Sequence, residues 1–239
     1  MKTVEIGHCT LIHADCMDVM RDLPDKAFDL AIVDPPYGIK RDKGFGGFGG
    51  FGGVGKPIAR KTYKGNWDNE TPGNNYFENL LRVTCYSIVW GGNFFTDKLP
   101  QNNHWIFWDK LNTMPTFGDG ELAWTNINKN SVKRHKLEYN GLLGKEVDRI
   151  HPTQKPVKLY GWLLTNYAKS GQTILDTHLG SGSSAIAANK LGFKFTGIEL
   201  DEDYFNAACE RIANAYKQTS LFDSEPESAL SAEQLSLLA

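Results

Sequence analysis

Short apolar runs alternate with helix-like stretches along most of this 239-residue chain. Continuous apolar strands separated by helices predict a mostly parallel sheet with helices packed on both faces. The predicted strands are residues 9–15, 28–34, 86–90, 104–110, 173–177 and 194–200. The predicted helices are residues 76–85, 156–170, 183–192 and 201–217. The chain is long enough to bury a full core, so we expect one α/β domain whose ligands bind at the carboxyl ends of the strands.

Residues 173–205, "TILDTHLGSGSSAIAANKLGFKFTGIELDEDYF", have the pattern of a strand, a glycine-rich turn, a helix and a second strand. Gly180 and Gly182 allow a tight turn that brings backbone amides close to a ligand. Glu199 lies 23 residues after Asp176, where a carboxylate can accept hydrogen bonds from ribose hydroxyls. The pattern predicts an adenosine-binding unit.

A nicotinamide dehydrogenase is the alternative for this unit, because residues 180–185 also fit the G-x-G-x-x-A dinucleotide fingerprint. A dinucleotide fold builds a second mononucleotide half after the turn, whereas about 15 residues of predicted helix follow Glu199 before the tail. The remaining chain is too short for that second half unless earlier strands complete the sheet in permuted order.

The stretch "FDLAIVDPPYGIK", residues 28–40, ends a predicted buried strand with an acid, two prolines and a tyrosine. Proline fixes its own φ, lacks an N–H and keeps the preceding residue out of the helical region, so Asp34 and Pro35 are expected to be extended. Such a segment presents a carboxylate and a carbonyl oxygen beside the ring of Tyr37. That arrangement suits a planar ligand with an NH2 group, whose two N–H bonds are shared between Asp34 and the Pro35 carbonyl while Tyr37 stacks on the ring.

"DPPY" together with "DTHLGSGSS" resembles the S-adenosylmethionine-dependent DNA amino-methyltransferases, which methylate N6 of adenine or N4 of cytosine. The chemical motif precedes the cofactor motif, an order that resembles the permuted beta group of that family. The segment "RIHPTQKPVKLYGWLL", residues 149–164, is similar to the family segment that holds the methionine end of the cofactor. The resemblance covers most of residues 9–217 and implies a Rossmann-like methyltransferase fold with S-adenosylmethionine as cofactor.

The two motifs and the resemblance together indicate the site residues. The catalytic residues are expected to be Asp34, Pro35, Pro36 and Tyr37. The cofactor-binding residues are expected to be Asp15, His151, Thr153, Lys155, Asp176, His178, Gly180, Ser181, Gly182, Ser183 and Glu199. Three of them have other readings: Asp15 can be an ordinary acid at a strand end, Thr153 can cap a helix, and Thr177-His178 replaces a Pro-Phe that is frequent in the family. No metal is expected, because the spacing of His8, Cys9, His13 and Cys16 fits no zinc pattern.

Basic residues are concentrated in two segments although the whole chain has a net charge of -2. Residues 38–64 contain seven Lys and Arg against one Asp, and residues 126–149 contain six against three Asp and Glu. Concentrated positive charge is typical of a surface that faces a polyanion, while a solvated face is the plainer alternative. The resemblance makes double-stranded DNA the expected partner.

Three segments are assigned beyond the core of the domain. Residues 38–64 include the Phe-Gly-Gly repeats of residues 44–55, and we expect a mobile basic flap that closes on DNA. Residues 111–150 are polar and basic with weak periodicity, and are expected to be a target-recognition insertion. Residues 218–239 are expected to be a flexible tail, in which Gln218–Phe222, "QTSLF", resembles a peptide that docks on the replication sliding clamp.

The sequence thus predicts a catalytic domain, residues 1–217, that methylates N6 of a flipped adenine in DNA. Asp as the first residue of "DPPY" favours adenine by resemblance. The alternatives are an N4-cytosine enzyme, an RNA or protein-amide methyltransferase, and a catalytically silent DNA-binding module. No signal peptide or apolar run of about 20 residues is present, so location in the cytoplasm of a bacterial or phage-infected cell is expected, without a membrane. The oligomeric state is left open between a monomer and a homodimer.

Overall fold

The computed structural model of the protein describes residues 1–39, 68–112, 118–139, 149–151 and 153–223. The glycine-rich repeats of residues 44–55 lie outside the described residues, as do nearly all of the predicted basic flap and residues 224–239 of the predicted tail. The predictions made for those segments therefore stay predictions.

Nine strands in the described part of the chain form one sheet in the order β1-β2-β9-β8-β3-β4-β6-β5-β7. They are β1 (Lys2–Ile6), β2 (Cys9–His13), β3 (Phe28–Val33), β4 (Thr84–Trp90), β5 (Trp105–Asp109), β6 (Gly120–Thr125), β7 (Lys133–Lys136), β8 (Thr173–Asp176) and β9 (Lys194–Glu199). The central strands β2, β9, β8, β3 and β4 are all parallel. The antiparallel pairs are β1 with β2, β4 with β6, and β5 with β6.

Helices cover both faces of this sheet. They are α1 (Cys16–Asp22), α2 (Asn74–Val83), α3 (Val157–Tyr167), α4 (Ser183–Lys190) and α5 (Glu202–Asp223), and a short 3-10 helix spans Gly92–Phe94. Side chains of β3 alternate between the two layers: Leu30 and Ile32 pack in the cluster formed with α3, α4 and α5. Ala31 and Val33 pack in the cluster formed with α1 and α2. The predicted α/β class, with a mostly parallel sheet between two layers of helices, is confirmed.

The six predicted strands are all present, and three further strands are added. Two of these, β6 and β7, come from the segment predicted as an insertion, so part of residues 111–150 belongs to the central sheet. Helix α5 continues through Asp223, which corrects its predicted end at residue 217 and makes the first six residues of the predicted tail helical. None of the described helices is both long and apolar enough to cross a membrane.

The sheet topology brings distant chain segments to the same end of the sheet, where the parallel strands finish. β3 pairs with β8 in the register Leu30↔Ile174 and Ala31↔Leu175, so Asp34 and Asp176 stand at the ends of neighbouring parallel strands. β6 runs antiparallel to β4, with Trp90 opposite Ala123. The first residues of β6, including Glu121, therefore lie at the same end of the sheet as the carboxyl ends of the parallel strands.

Candidate active site

The carboxylate of Asp34, directly after β3, has a different partner on each oxygen. The Tyr37 hydroxyl donates to Oδ1 at 2.6 Å, and the Lys155 ammonium lies 2.5 Å from Oδ2. The side chain of Asp34 is 16% exposed, so a ligand can reach it. Burial and the neighbouring Asp34 raise the pKa of Tyr37 well above its usual value, which keeps its hydroxyl protonated as a donor.

The ring of Tyr37 is fixed by residues that follow β4. It stacks on Phe94 with 4.9 Å between ring centroids and 14° between planes. Gly91 has φ of 68°, and a Cβ at this position would lie 2.2 Å from Cε1 of Tyr37. Only glycine satisfies both this left-handed backbone and the close contact. The ring of Phe94 is 41% exposed, so it lies at the outer side of the site.

Asp68 fixes the backbone that follows the two prolines. Its buried Oδ1 accepts the backbone N–H of Tyr37 at 2.8 Å and that of Gly38 at 2.9 Å. Asp68 is distant in sequence from the motif it supports, and no local pattern pointed to it. Pro35 is itself buried, so the segment is held both by packing and by these hydrogen bonds.

Asp176, at the end of β8, is a buried carboxyl with two donors. Ser184 Oγ donates to Oδ2 at 2.6 Å, and the backbone N–H of His178 donates to Oδ1 at 3.0 Å. Burial raises the pKa of Asp176 to about 7, with smaller contributions in the same direction from the nearby Asp34 and Glu199. The carboxylates of Asp34 and Asp176, at the ends of the neighbouring strands β3 and β8, therefore influence each other.

The glycine-rich turn after β8 has the conformation that the sequence predicts. Gly180 and Gly182 have φ of 52° and 74°, values that favour glycine. The backbone N–H of Gly180 donates to Oε2 of Glu199 at 2.8 Å, and that of Asp201 donates to Oε1 at 3.0 Å. Glu199 thus lies directly at the turn, and burial raises the pKa of its carboxyl.

Ser181 and Ser183 are buried on the side of the turn that faces α5. Their hydroxyls are 3.1 Å apart, and Arg211 donates to the carbonyl oxygen of Ser181 at 2.7 Å and to Ser183 Oγ at 3.0 Å. These contacts tie the turn to α5. A direct contact of either serine with a cofactor stays a prediction.

His151 and Thr153 lie beside the same turn, before α3. The ring of His151 is within about 4 Å of where a Cβ of Gly180 would stand, at 3.8 Å from its Cγ. Thr153 Oγ1 lies 3.1 Å from His151 Nδ1. Burial, followed by the positive charges of Lys155 and Arg149, lowers the pKa of His151 to about 3, so the ring is neutral. His151 lies close to the turn and Thr153 contacts His151, while the predicted contact of both residues with a cofactor stays a prediction.

His178 and Asp15 are the remaining predicted cofactor contacts. His178 Nδ1 lies 2.9 Å from Thr177 Oγ1, its ring packs edge-on against Tyr76 at 5.3 Å, and burial lowers its pKa to about 4. Asp15 caps helix α1 by accepting the N–H of Met17 at 2.8 Å. This helix-capping role of Asp15 is established by the geometry, while its contact with a cofactor stays a prediction.

Lys155 connects Asp34 to an acid that the sequence did not indicate, Glu121 of β6. Lys155 Nζ lies 3.1 Å from Glu121 Oε2, and Lys110 binds the other oxygen of Glu121. Glu121 lies in the weakly periodic segment 111–150 and Lys110 ends the predicted strand 104–110, and no local signal indicated that the two side chains pair at the site. Among the described residues there is no group of three or more His, Cys, Asp or Glu placed to hold a metal ion.

A glycine-rich turn and a carboxylate at the ends of neighbouring parallel strands, between two layers of helices, are typical of Rossmann-like nucleotide-binding proteins. The family model for DNA methylases, which comprises N6 and N4 methyltransferases, matches residues 86–210. The match spans more than half of the 239 residues, and the chain belongs to this family. The resemblance to DNA amino-methyltransferases seen in the sequence is confirmed.

Individual relatives agree with this assignment. The chain is 25% identical over 240 residues to the type II methyltransferase M2.DpnII of Streptococcus pneumoniae, covering 84% of this chain and 88% of the relative. It is 23% identical over 251 residues to the type II methyltransferase M2.LlaDCHI of Lactococcus lactis subsp. cremoris, covering 87% and 90%.

Solved structures share the fold. The complex of M1.HpyAVI with SAM matches with a TM-score of 0.57 and 19% identity, covering 85% of this chain and 98% of that one. The cytosine-N4-specific PvuII DNA methyltransferase matches with a TM-score of 0.54 and 13% identity, covering 88% and 92%. The predicted Rossmann-like methyltransferase fold is therefore confirmed.

Proposed function

We propose that the protein transfers a methyl group from S-adenosylmethionine to the exocyclic N6 of an adenine that is flipped out of double-stranded DNA. One observation carries the proposal: the Asp34 carboxylate and the glycine-rich turn after Asp176 follow neighbouring parallel strands, β3 and β8. An amine held at Asp34 is then next to a nucleotide held at the turn.

The residues around the turn fit the adenosyl group. Gly180 and Gly182 carry no side chains that would obstruct a ligand, and each oxygen of Glu199 accepts one backbone N–H and keeps a lone pair for a ribose hydroxyl. His151 and Thr153 lie where they can hold the methionine end. When bound, S-adenosylmethionine supplies an electrophilic methyl group on a positively charged sulfur.

Asp34 and Pro35 activate the amine. The exocyclic nitrogen of adenine is a weak nucleophile because its lone pair is delocalised into the ring. Donating one N–H to Asp34 Oδ1 and the other to the Pro35 carbonyl favours a tetrahedral nitrogen with a localised lone pair. Asp34 Oδ1 accepts the Tyr37 hydroxyl, and in our proposal the arriving amine replaces that hydroxyl. Fixed acceptors contribute to the rate through proximity and electrostatic preorganisation.

Double-stranded DNA must present the base outside its helix, because the amine inside a duplex cannot reach Asp34. Flipping costs a few kcal/mol, part of which stacking on Tyr37 recovers. Contacts between basic residues and phosphates supply binding energy for this step. In the described part of the chain, Lys133, Arg134 and Lys136 are exposed on the edge strand β7.

N4-cytosine methylation is the second candidate reaction. The fold is shared with the cytosine-N4-specific PvuII enzyme, and adenine and cytosine both present an amine beside a ring nitrogen. We favour adenine because the motif "DPPY" begins with Asp. Docking on a sliding clamp through Gln218–Phe222 stays a prediction, for a segment that lies in the last turns of α5.

A methyl-transfer assay followed by nucleoside analysis tests the proposal. The protein is incubated with isotope-labelled S-adenosylmethionine and unmethylated duplex DNA, and the DNA is digested to nucleosides. We expect labelled N6-methyldeoxyadenosine, lost in Asp34→Ala and kept in Asp18→Ala, whose carboxylate is exposed on α1. Labelled N4-methyldeoxycytidine would overturn the choice of base, and unlabelled DNA from the wild-type protein would overturn the function.

A further inference from the structure

Lys155 is a buried cation that contacts two acids, and a second lysine contacts one of these acids. Its side chain is 4% exposed and lies 2.5 Å from Asp34 Oδ2 and 3.1 Å from Glu121 Oε2. Lys110 binds the second oxygen of Glu121. We call Lys110, Glu121, Lys155 and Asp34 the charge cluster. It contains two cations and two acids, so it is balanced as a unit.

The pairing explains why Lys155 stays charged although it is buried. Burial alone lowers the pKa of a lysine, but Asp34 and Glu121 outweigh burial and raise the pKa of Lys155. Burial raises the pKa of Glu121, but the charges of Lys155 and Lys110 outweigh burial and lower this pKa to about 2. Both groups are therefore ionised at neutral pH, and each is held in place by the other.

We propose that Lys155, anchored by Glu121, is a positioning residue that holds Asp34 Oδ2 so that Oδ1 faces the target amine. The inference rests on the proposed function and extends it. In the structure, Asp34 is fixed by both Tyr37 and Lys155. Once the amine has displaced the Tyr37 hydroxyl, Lys155 is the side chain among the described residues that still prevents the carboxylate from rotating.

Glu121 has a distinct part in this arrangement. A lysine side chain has four rotatable bonds, and an ion pair with Asp34 alone leaves it mobile. Glu121 binds the same ammonium at 3.1 Å, and the ring centroids of Trp90 and Tyr37 lie 5.5 Å and 5.6 Å from Nζ. The ammonium is thereby confined to one place, and Lys110 neutralises the charge that Glu121 would otherwise leave in excess.

The competing role for Lys155 is binding of the cofactor carboxylate, which the resemblance implies. The two roles differ in what a substitution changes. A positioning residue affects the rate of methyl transfer, whereas a cofactor ligand affects affinity for S-adenosylmethionine.

Lys155→Met tests the inference in the full-length protein. We measure kcat with duplex DNA, and affinity for S-adenosylmethionine by calorimetry. We expect kcat to fall about 100-fold, the typical effect of misplacing a reacting group by about 1 Å, with cofactor affinity within about threefold of wild type. Lys158→Met is the matched control, because Lys158 is exposed on α3, three residues further on.

The separation of kcat from cofactor affinity distinguishes positioning from a merely structural effect. A structural loss lowers the melting temperature and weakens both kcat and cofactor affinity, whereas a loss of positioning lowers kcat alone.

A double variant keeps the test valid if Lys155→Met fails to fold. Combining Lys155→Met with Glu121→Gln removes one cation and one anion, so the cluster stays balanced. We expect the double variant to fold with a low kcat. Normal kcat in either variant with weakened binding of S-adenosylmethionine would overturn the inference. An inactive wild-type protein would remove the proposed function and this inference together.

Discussion

Gly91 is the residue at which backbone conformation and the site are most directly coupled. Its positive φ and the 2.2 Å contact that a Cβ would make with Tyr37 leave no room for a side chain. The ring of Tyr37 and the hydroxyl that reaches Asp34 are consequently placed by a glycine on a neighbouring strand end.

Gly91→Ala should therefore weaken both stability and activity. We expect a loss of about 2–4 kcal/mol from backbone strain and ring displacement, and a fall in methyl transfer of at least about tenfold. Gly73→Ala is the control, since nothing lies within 4 Å of a Cβ there and the φ is -71°. Thermal unfolding and initial rates check the prediction, and a fully active Gly91→Ala protein would contradict it.

Protonation of His178 should make the free energy of unfolding depend on pH, and replacing the residue should remove this contribution. Burial lowers its pKa from 6.5 to about 4, so the unfolded chain takes up a proton at higher pH than the folded protein does. Its contribution to stability is present above pH 6.5 and is lost as the pH falls toward 4. The loss is up to about 3 kcal/mol. In His178→Phe, unfolding free energies measured by urea titration should depend less on pH across this window, and an unchanged dependence would rule the effect out.

At the scale of elements, the turn between β8 and α4 determines how α4 packs on α5. Gly182 begins α4 in a left-handed conformation, and a Cβ there would lie 2.8 Å from Cδ1 of Ile212. The same turn lies against Glu199, which we assign to the cofactor, so this turn serves both helix packing and ligand binding.

Two glycine substitutions, one directly before α4 and one inside α3, should act in opposite directions. Gly182→Ala is expected to cost about 2–4 kcal/mol, because it adds both left-handed strain and overpacking against α5. Gly161→Ala is expected to stabilise by about 0.5–1 kcal/mol, since Gly161 lies inside α3 with nothing within 4 Å of its Cβ position. Denaturant unfolding measures both, and equal effects would contradict the assignment.

The elements that the sequence predicted are those with a strong local pattern. The six predicted strands are apolar runs bounded by turn residues, and glycines mark the turn before α4. The strand β7, with the sequence KRHK, has no apolar pattern, and its conformation comes from pairing with β5. β1 alternates polar and apolar residues on an outer strand, and the seven-residue α1 is too short for a clear period.

At the scale of the whole molecule, the site is assembled from strand ends that are far apart in sequence. Asp34, Asp176 and Glu199 were predictable because each follows an apolar run in a chain expected to form a parallel sheet. Lys155 was assigned to the cofactor, and its pairing with Asp34 was not foreseen. Asp68 and Glu121 could not be found, because they act through contacts that only the folded chain creates.

Salt dependence tests the expected DNA-facing side of the molecule. Log affinity falls as log salt concentration rises, and removing one phosphate contact should make this slope less steep by about 1. Lys136 is the last residue of β7, at the same end of the sheet as the site. Lys194 is the first residue of β9, at the opposite end. Lys136→Gln is expected to reduce the slope and Lys194→Gln to leave it unchanged, as measured by fluorescence anisotropy with duplex DNA. The reverse pattern would place DNA at the other end of the sheet.

The central claim is that the acceptors after β3 and the turn after β8 bind the two reactants side by side. A crystal structure of the protein with duplex DNA and sinefungin, an unreactive analogue of the methyl donor, measures this directly. We predict that the flipped base places its amine about 3 Å from Asp34 Oδ1 and the Pro35 carbonyl oxygen, with the analogue on the Gly180 turn. A base or an analogue bound away from these residues would contradict the account.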